Sequence, residues 1–274
     1  MRPLFLLSLF APAFALASAE GVNPKATDLF EIGGIPVSNS ILTTWILAVL
    51  IIIAVRVLVG TPKIIPNKGQ ALVENVASGL RDALEPIVGK KMIGKTFPVL
   101  CGFFVFILLM NWSGLLPGVG TIKYQSADGH WLDAIRPANS DLNTTLALSI
   151  LSFLAWTYFV LRYAGVKALV FDLFGNKADK KELSLLMWLM LGFIFLGVGV
   201  IEVLSIASRL ISLPFRLYGN VFGGENLIHT LGGIAPYVVP AVAGMLEVLV
   251  GLIQAFVFTL LSAVYIGLIC NHDA

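Results

Sequence analysis

Residues 201–225 read IEVLSIASRLISLPFRLYGNVFGGE. The stretch is apolar for most of its length, yet it carries Glu202, Arg209, Arg216 and Glu225. It sits inside a longer apolar run from 184 to 230 that holds no other Asp, Glu, Lys or Arg. A run of that length is a helix at bilayer depth rather than a buried strand. Seven residues are nearly two helical turns, so Glu202, Arg209 and Arg216 share one face, with Ser205 and Ser212 on or near the same stripe. Ionisable side chains cost several kcal/mol at bilayer depth, and they usually mark an ion path.

The rest of the chain fits a bilayer protein. Of its 274 residues 58% are hydrophobic and 12% charged, and the mean hydropathy is +0.91, too little charge to cover a soluble domain of this size. The net charge of +2 gives no nucleic-acid partner. Cys101 and Cys270 stand in apolar runs and read as small hydrophobes.

Spans are expected at about 41–59, 96–118, 142–164, 184–211 continuing into 212–230, and 237–269. A helix of about 30 residues is roughly 45 Å long against a ~30 Å hydrocarbon core, so the last two spans must tilt strongly or run partly along the membrane. Gly232, Gly233 and Pro236 mark a turn between them and make them a hairpin. Over 67–90 the apolar residues Ala71, Val73, Val76, Ala77, Leu80, Leu84 and Val88 recur at helical spacing among charges, which predicts an amphipathic helix on the cytoplasmic surface. The expected fold is all-α: a polytopic membrane protein of five transmembrane helices, the last two long, tilted and paired.

Charge placement orients the chain. The 60–95 loop carries Lys63, Lys68, Arg81, Lys90, Lys91 and Lys95, and the 162–181 loop carries Arg162, Lys167, Lys177, Lys180 and Lys181. The 119–140 loop has only Lys123 and Arg136, offset by Asp128 and Asp133. The positive-inside rule puts the first two loops in the cytoplasm, the N-terminus outside and the C-terminus inside. The N-terminal residues agree independently: Arg2, an apolar run from Leu4 to Leu16, and Ala17-Ser-Ala19 form a secretory leader over 1–19. An uncleaved arm is the alternative. Residues 20–40 follow on the outer side, and 41–274 form one membrane domain.

Residues 89–96, GKKMIGKT, fit the phosphate-binding pattern G-x-x-x-x-G-K-[ST]. That loop works between a buried strand and a helix, and here it joins an amphipathic helix to a membrane span. It reads as a basic juxtamembrane segment beside anionic lipid, with no nucleotide bound directly. His130 and His272 read as solvated, Arg56 as snorkelling, and the five tryptophans as interface anchors.

The last span carries Glu247, Gln254 and, at similar spacing, Ser262 or Tyr265, and the hairpin brings this face toward that of the fourth span. Asn220, Glu225 and His229 continue the fourth span. Internal salt bridges, Glu202–Arg209 or Arg216–Glu225, would make the set structural. Carboxylates spread along the depth would instead form a ladder of proton acceptors. Gly192, Gly197, Gly199, Gly219, Gly223 and Gly224 allow another helix to approach closely.

The 201–225 stretch resembles the signature of subunit a of F-type ATP synthase. Asn111-Trp-Ser-Gly-Leu-Leu-Pro117, Pro137-Ala-Asn-Ser-Asp141-Leu-Asn143-Thr-Thr, and Gln254-Ala-Phe-Val-Phe258 with Tyr265 resemble further segments of that family in order, across about residues 40–270. The resemblance implies a bacterial-type, non-catalytic proton-channel stator subunit in the cell membrane. It has no cofactor, its partners are a ring of c subunits and b-type peripheral stalk subunits, and ATP chemistry lies on other subunits of the complex. Arg216 matches the family's essential arginine, which separates two offset half-channels. Asn220, Glu225, Glu247, Gln254, Asp141 and Asn143 match residues of the outer half-channel and the arginine contact zone. Glu202, Ser212 and Arg209 match the inner one. Bacterial relatives often carry Glu and His at the 225 and 247 positions. Here both are Glu, and the expectation is that they share a proton with His229 nearby. A self-contained secondary transporter predicts repeated halves, which the sequence lacks. A structural scaffold predicts that Arg216→Lys is nearly silent. Protons are favoured over sodium because no dense cluster of oxygen ligands appears.

Overall fold

A computed structural model describes residues 26–116, 119, 122–125, 131–175, 185–232 and 238–270. The expected leader, His130, His272 and the glycine-proline turn after Gly232 lie outside the described residues, as does the side chain of His229.

The first element is a hairpin of β1 (Asp28–Ile32) and β2 (Ile35–Ser38), whose tight turn uses Gly33 and Gly34 at positive φ. Ser38 then caps helix α1 (Asn39–Val59), its hydroxyl accepting from the Ile41 amide. α1 ends at Gly60, φ +58°, where a residue with a Cβ would be strained. Its surface is apolar and exposed at Trp45, Val49, Leu50, Ile52, Ile53 and Val57, the pattern of a helix solvated by lipid.

Helix α2 (Lys68–Val88) begins under the Asn67 cap, whose side chain accepts from the Gln70 amide at 2.6 Å. Its amphipathic stripe is the one the sequence predicts, but Leu80, Leu84 and Val88 are buried against protein, where α2 packs on α3 (Lys90–Trp112) and on α7 (Val238–Cys270). Gly89, at φ +88°, breaks the chain between α2 and α3. The P-loop-like residues are therefore a helix–break–helix corner, with Lys95 over the Tyr163 ring, 4.2 Å from its centroid.

A 3-10 turn (Ser113–Leu115) ends α3, and the short strands β3 (Lys123–Gln125) and β4 (Trp131–Asp133) pair antiparallel. A second 3-10 turn (Ala138–Ser140) leads into α4 (Leu142–Phe159), which continues through a π-helical turn (Val160–Ala164) into α5 (Gly165–Phe174). The small strands and α5 are additions to the sequence reading. They fall in stretches too short for periodicity to register.

The 184–230 run is a single helix, α6 (Leu185–Gly232), 48 residues long. At 1.5 Å per residue it measures about 72 Å, more than twice the hydrocarbon thickness, so it cannot stand upright in a bilayer. Pro214 interrupts its ladder by leaving the Leu210 carbonyl without an amide. The Ser149 hydroxyl of α4 donates to that carbonyl at 3.3 Å, which is how a helix break is tolerated at membrane depth. Among the described residues five helices are long and apolar enough to cross a membrane: Asn39–Val59, Lys90–Leu115, Leu142–Lys167, Met190–Ile228 and Pro240–Cys270.

The core lies where α3, α4 and α6 meet α7. Leu100, Ile107, Met110, Leu217, Phe258 and Ile266 are buried there, and Phe103 meets Phe258 edge-on at 5.8 Å. Trp112 and Trp156, expected as interface anchors, tie α3 and α4 to α7: their indole N–H groups donate to the Val248 and Tyr265 carbonyls at 3.0 and 3.1 Å.

Candidate functional site

The polar faces of α6 and α7 meet at three levels. Nearest the turn, the Glu247 carboxyl covers Gly224. A Cβ added at Gly224 would lie 3.2 Å from both Glu247 Cδ and Oε1. Glu247 Oε1 also lies 3.6 Å from the place a Gly114 Cβ would take, so two glycines make the slot that holds it. In the middle, Asn220 Nδ2 donates to Gln254 Oε1 at 3.2 Å, with Gln254 buried. Farther along, the Arg209 guanidinium lies over the Tyr265 ring. The antiparallel hairpin sets this order, because each step away from the turn on one helix pairs with a step away on the other.

Two cavities open off the hairpin. One, of about 270 Å³, is lined by Asn111, Asn220, Gly224, Glu247 and Gly251. The other, of about 40 Å³, is lined by Ser149, Ser152, Arg209, Ser262 and Tyr265, where the Ser152 and Ser262 hydroxyls bond at 2.9 Å. A water needs roughly 10–15 Å³ of such space, so even the smaller cavity has room for more than one. α6 supplies residues up to Leu213 to the smaller cavity and from Gly219 onward to the larger. The six-residue step from Leu213 to Gly219 rises about 9 Å. Between the cavities Leu217 is buried, while Phe215 and Arg216 are exposed on the side of α6 that no described helix covers.

Neither internal salt bridge weighed from the sequence forms. Glu225 pairs with Arg136, Oε2 to Nη2 at 3.7 Å, with the side chains only 10% and 5% exposed. Glu202 is half-exposed and lies near Arg209 without bonding to it, and Arg209 Nη2 reaches Ser205 Oγ at 3.5 Å. Ser212 is exposed beside Arg216. Asp141 and Asn143 lie at the start of α4 and line neither cavity. The Asp141 carboxylate caps α4 by accepting from the Asn143 amide at 3.0 Å and also accepts from Ser40 Oγ at 2.8 Å, and Asn143 itself is exposed.

Sequence reading missed Arg136, treating it as one of two loop charges offset by acids. It also missed the amide chain from Asn139 Nδ2 to Asn111 Oδ1 (2.7 Å) and from Asn111 Nδ2 to the Gly251 carbonyl (3.0 Å). Only the position of Arg136, directly before the Pro137–Thr145 motif, carried a signal.

Residues 41–267 match the family described as ATP synthase A chain. The chain is 29% identical over 242 residues to "ATP synthase subunit a 2" of Bradyrhizobium sp., covering 88% of this chain and 93% of that one. It is also 29% identical over 244 residues to "ATP synthase subunit a" of Moorella thermoacetica, covering 89% and 95%. With a family match over most of its length and, among the described residues, five helices fit to span a membrane, this chain belongs to the ATP synthase A chain family.

Proposed function

We propose that the chain is the proton-translocating stator subunit of a rotary ATP synthase in a bacterial cell membrane, with its N-terminus outside and its C-terminus inside. It works against a ring of c subunits and is held by b-type stalk subunits, while ATP chemistry stays on other chains. The observation that carries this reading is the pair of cavities, each with a few polar groups in a mostly apolar wall, on either side of the Leu217 level, with Arg216 exposed at that level. The cavity with Glu247 and Asn220 is the outer half-channel. The cavity with Arg209, Ser262 and Tyr265 is the inner one, with Glu202 and Ser212 near it.

The chemistry follows from the guanidinium. It is a fixed positive charge with only donor groups. A ring carboxylate that reaches it is favoured in the ionised form, so the proton is released on the inner side. The same charge repels a proton trying to pass directly between the cavities, and so the proton must ride the ring. The driving force is about 2.3 kcal/mol per charge for each 100 mV of membrane potential.

The test is Arg216→Lys in the assembled complex, assayed in inverted membrane vesicles. The expected result is loss of ATP-driven proton pumping with the soluble ATPase activity of the complex retained. Pumping at the native rate would refute the reading and favour a scaffold in which any cation suffices.

A further inference from the structure

The two outer carboxylates differ in their surroundings. Glu247 lines the 270 Å³ cavity from a slot between Gly224 and Gly114. Glu225 is absent from that lining and is buried against Arg136. Arg136 is in turn held from both ends of its segment. On one side Asn39 Nδ2 of α1 donates to the Asp133 carbonyl at 2.8 Å. On the other, the Ala138 amide donates to Ser113 Oγ at the tip of α3 at 3.1 Å, and Ser40 Oγ donates to the Asp141 carboxylate. The segment that carries Arg136 is placed by α1, α3 and the α4 cap together, and Glu225 of α6 meets its guanidinium there.

We infer that Arg136 is a positioning residue that assigns different tasks to the two glutamates: paired with Arg136, Glu225 anchors α6 against the outer connection, and Glu247 alone loads and unloads the proton. This rests on the half-channel reading above, and it replaces a proton shared between Glu225 and Glu247. The reason is the asymmetry of a buried ion pair. Removing one partner strands the other charge and is strongly damaging, whereas removing both is often tolerated. Glu247, which faces the cavity, has no such substitute. The charged groups around Glu225 are Arg136 and Asp133 from the connection and Glu247 from α7, with His229 one turn farther along α6.

The test uses the whole complex in inverted vesicles, with the amount of this chain in the membrane measured alongside pumping. Arg136→Gln is expected to lower pumping at least tenfold and to shift its pH profile, because an unpaired Glu225 then competes for protons. Adding Glu225→Gln is expected to restore at least a third of the native rate and the native profile. Glu247→Gln is expected to abolish pumping in either background. The inference is overturned if the double variant assembles but pumps below a tenth of native, which makes Glu225 itself a relay. It is also overturned if Arg136→Gln lowers the amount of chain without moving the profile, the mark of a merely structural role. Should the neutral double variant fail to assemble, the exchange Arg136→Glu with Glu225→Arg decides by the same thresholds, and failure of both to assemble counts against a replaceable pair. Arg216→Lys, run in parallel, separates this outcome from failure of the half-channel reading: if that variant pumps normally, the reading itself falls whatever happens at Arg136.

Discussion

Gly224 is the position at which a small change should have a readable cost. Its absent side chain leaves the slot for the Glu247 carboxyl, and an added Cβ would meet Cδ and Oε1 at 3.2 Å and Oε2 at 3.5 Å. Ordinary heavy-atom contacts lie near 3.5–4.0 Å, so in Gly224→Ala the carboxyl must retreat by a few tenths of an ångström. It sits at the end of a flexible side chain and can do so by leaving its preferred rotamer, at about 0.5–1.5 kcal/mol. Expressed fully in proton transfer, that is roughly a two- to tenfold slower rate. Gly224→Val brings two further methyl groups into the slot and should lower pumping more than tenfold. Helix stability runs the other way, since Gly→Ala inside a helix gains about 1 kcal/mol, so the loss cannot come from unfolding α6. Gly102→Ala in α3 is the internal control, because nothing lies within 4 Å of its Cβ. ATP-driven acidification of inverted vesicles, normalised to ATPase activity, reads the effect. If Gly224→Val pumps like Gly102→Ala, then Glu247 does not work from this slot and the assignment of the outer cavity is wrong.

Two further substitutions test the packing around the site. In Gly251→Ala the new Cβ would sit 3.1 Å from Asn111 Cβ and 3.2 Å from Trp112 Cδ1, so α3 and α7 must spread. The expected cost is about 1–3 kcal/mol, seen as a lower melting temperature of the solubilised complex and less chain in the membrane. Asp141→Asn keeps an acceptor for the Asn143 amide and for Ser40 Oγ, so its pumping should stay within about twofold of native. Asp141→Ala should lose about 1 kcal/mol of α4 stability in the same melting assay. A tenfold loss of pumping in Asp141→Asn would show instead that its carboxylate handles protons.

Arg216 was legible from sequence because it breaks an apolar helix of lipid length, and such a break has few explanations. The five spans were legible for the same reason: the bilayer imposes one length and one polarity on every crossing. The amphipathic stripe over 67–90 was legible as a period, but the period does not say what the stripe meets. The burial of Leu80, Leu84 and Val88 against α3 and α7 is a fact of packing.

The site itself was legible only in part. Antiparallel packing of α6 and α7 brought Asn220 to Gln254 and Gly224 to Glu247, as the hairpin expected from the sequence requires. The partner of Glu225 was not readable, because Arg136 lies 89 residues away in a non-helical connection where neither period nor spacing constrains position. Likewise nothing in the run 201–225 shows that Ser149, on another helix, answers the carbonyl that Pro214 leaves open. What the sequence determined alone is what one helix in one solvent determines: spans, faces, and the cost of a charge out of water. Tertiary structure decided which charges are compensated and by whom. Burial makes pairing obligatory but does not choose the partner, and that choice falls to whichever segment the fold brings within reach.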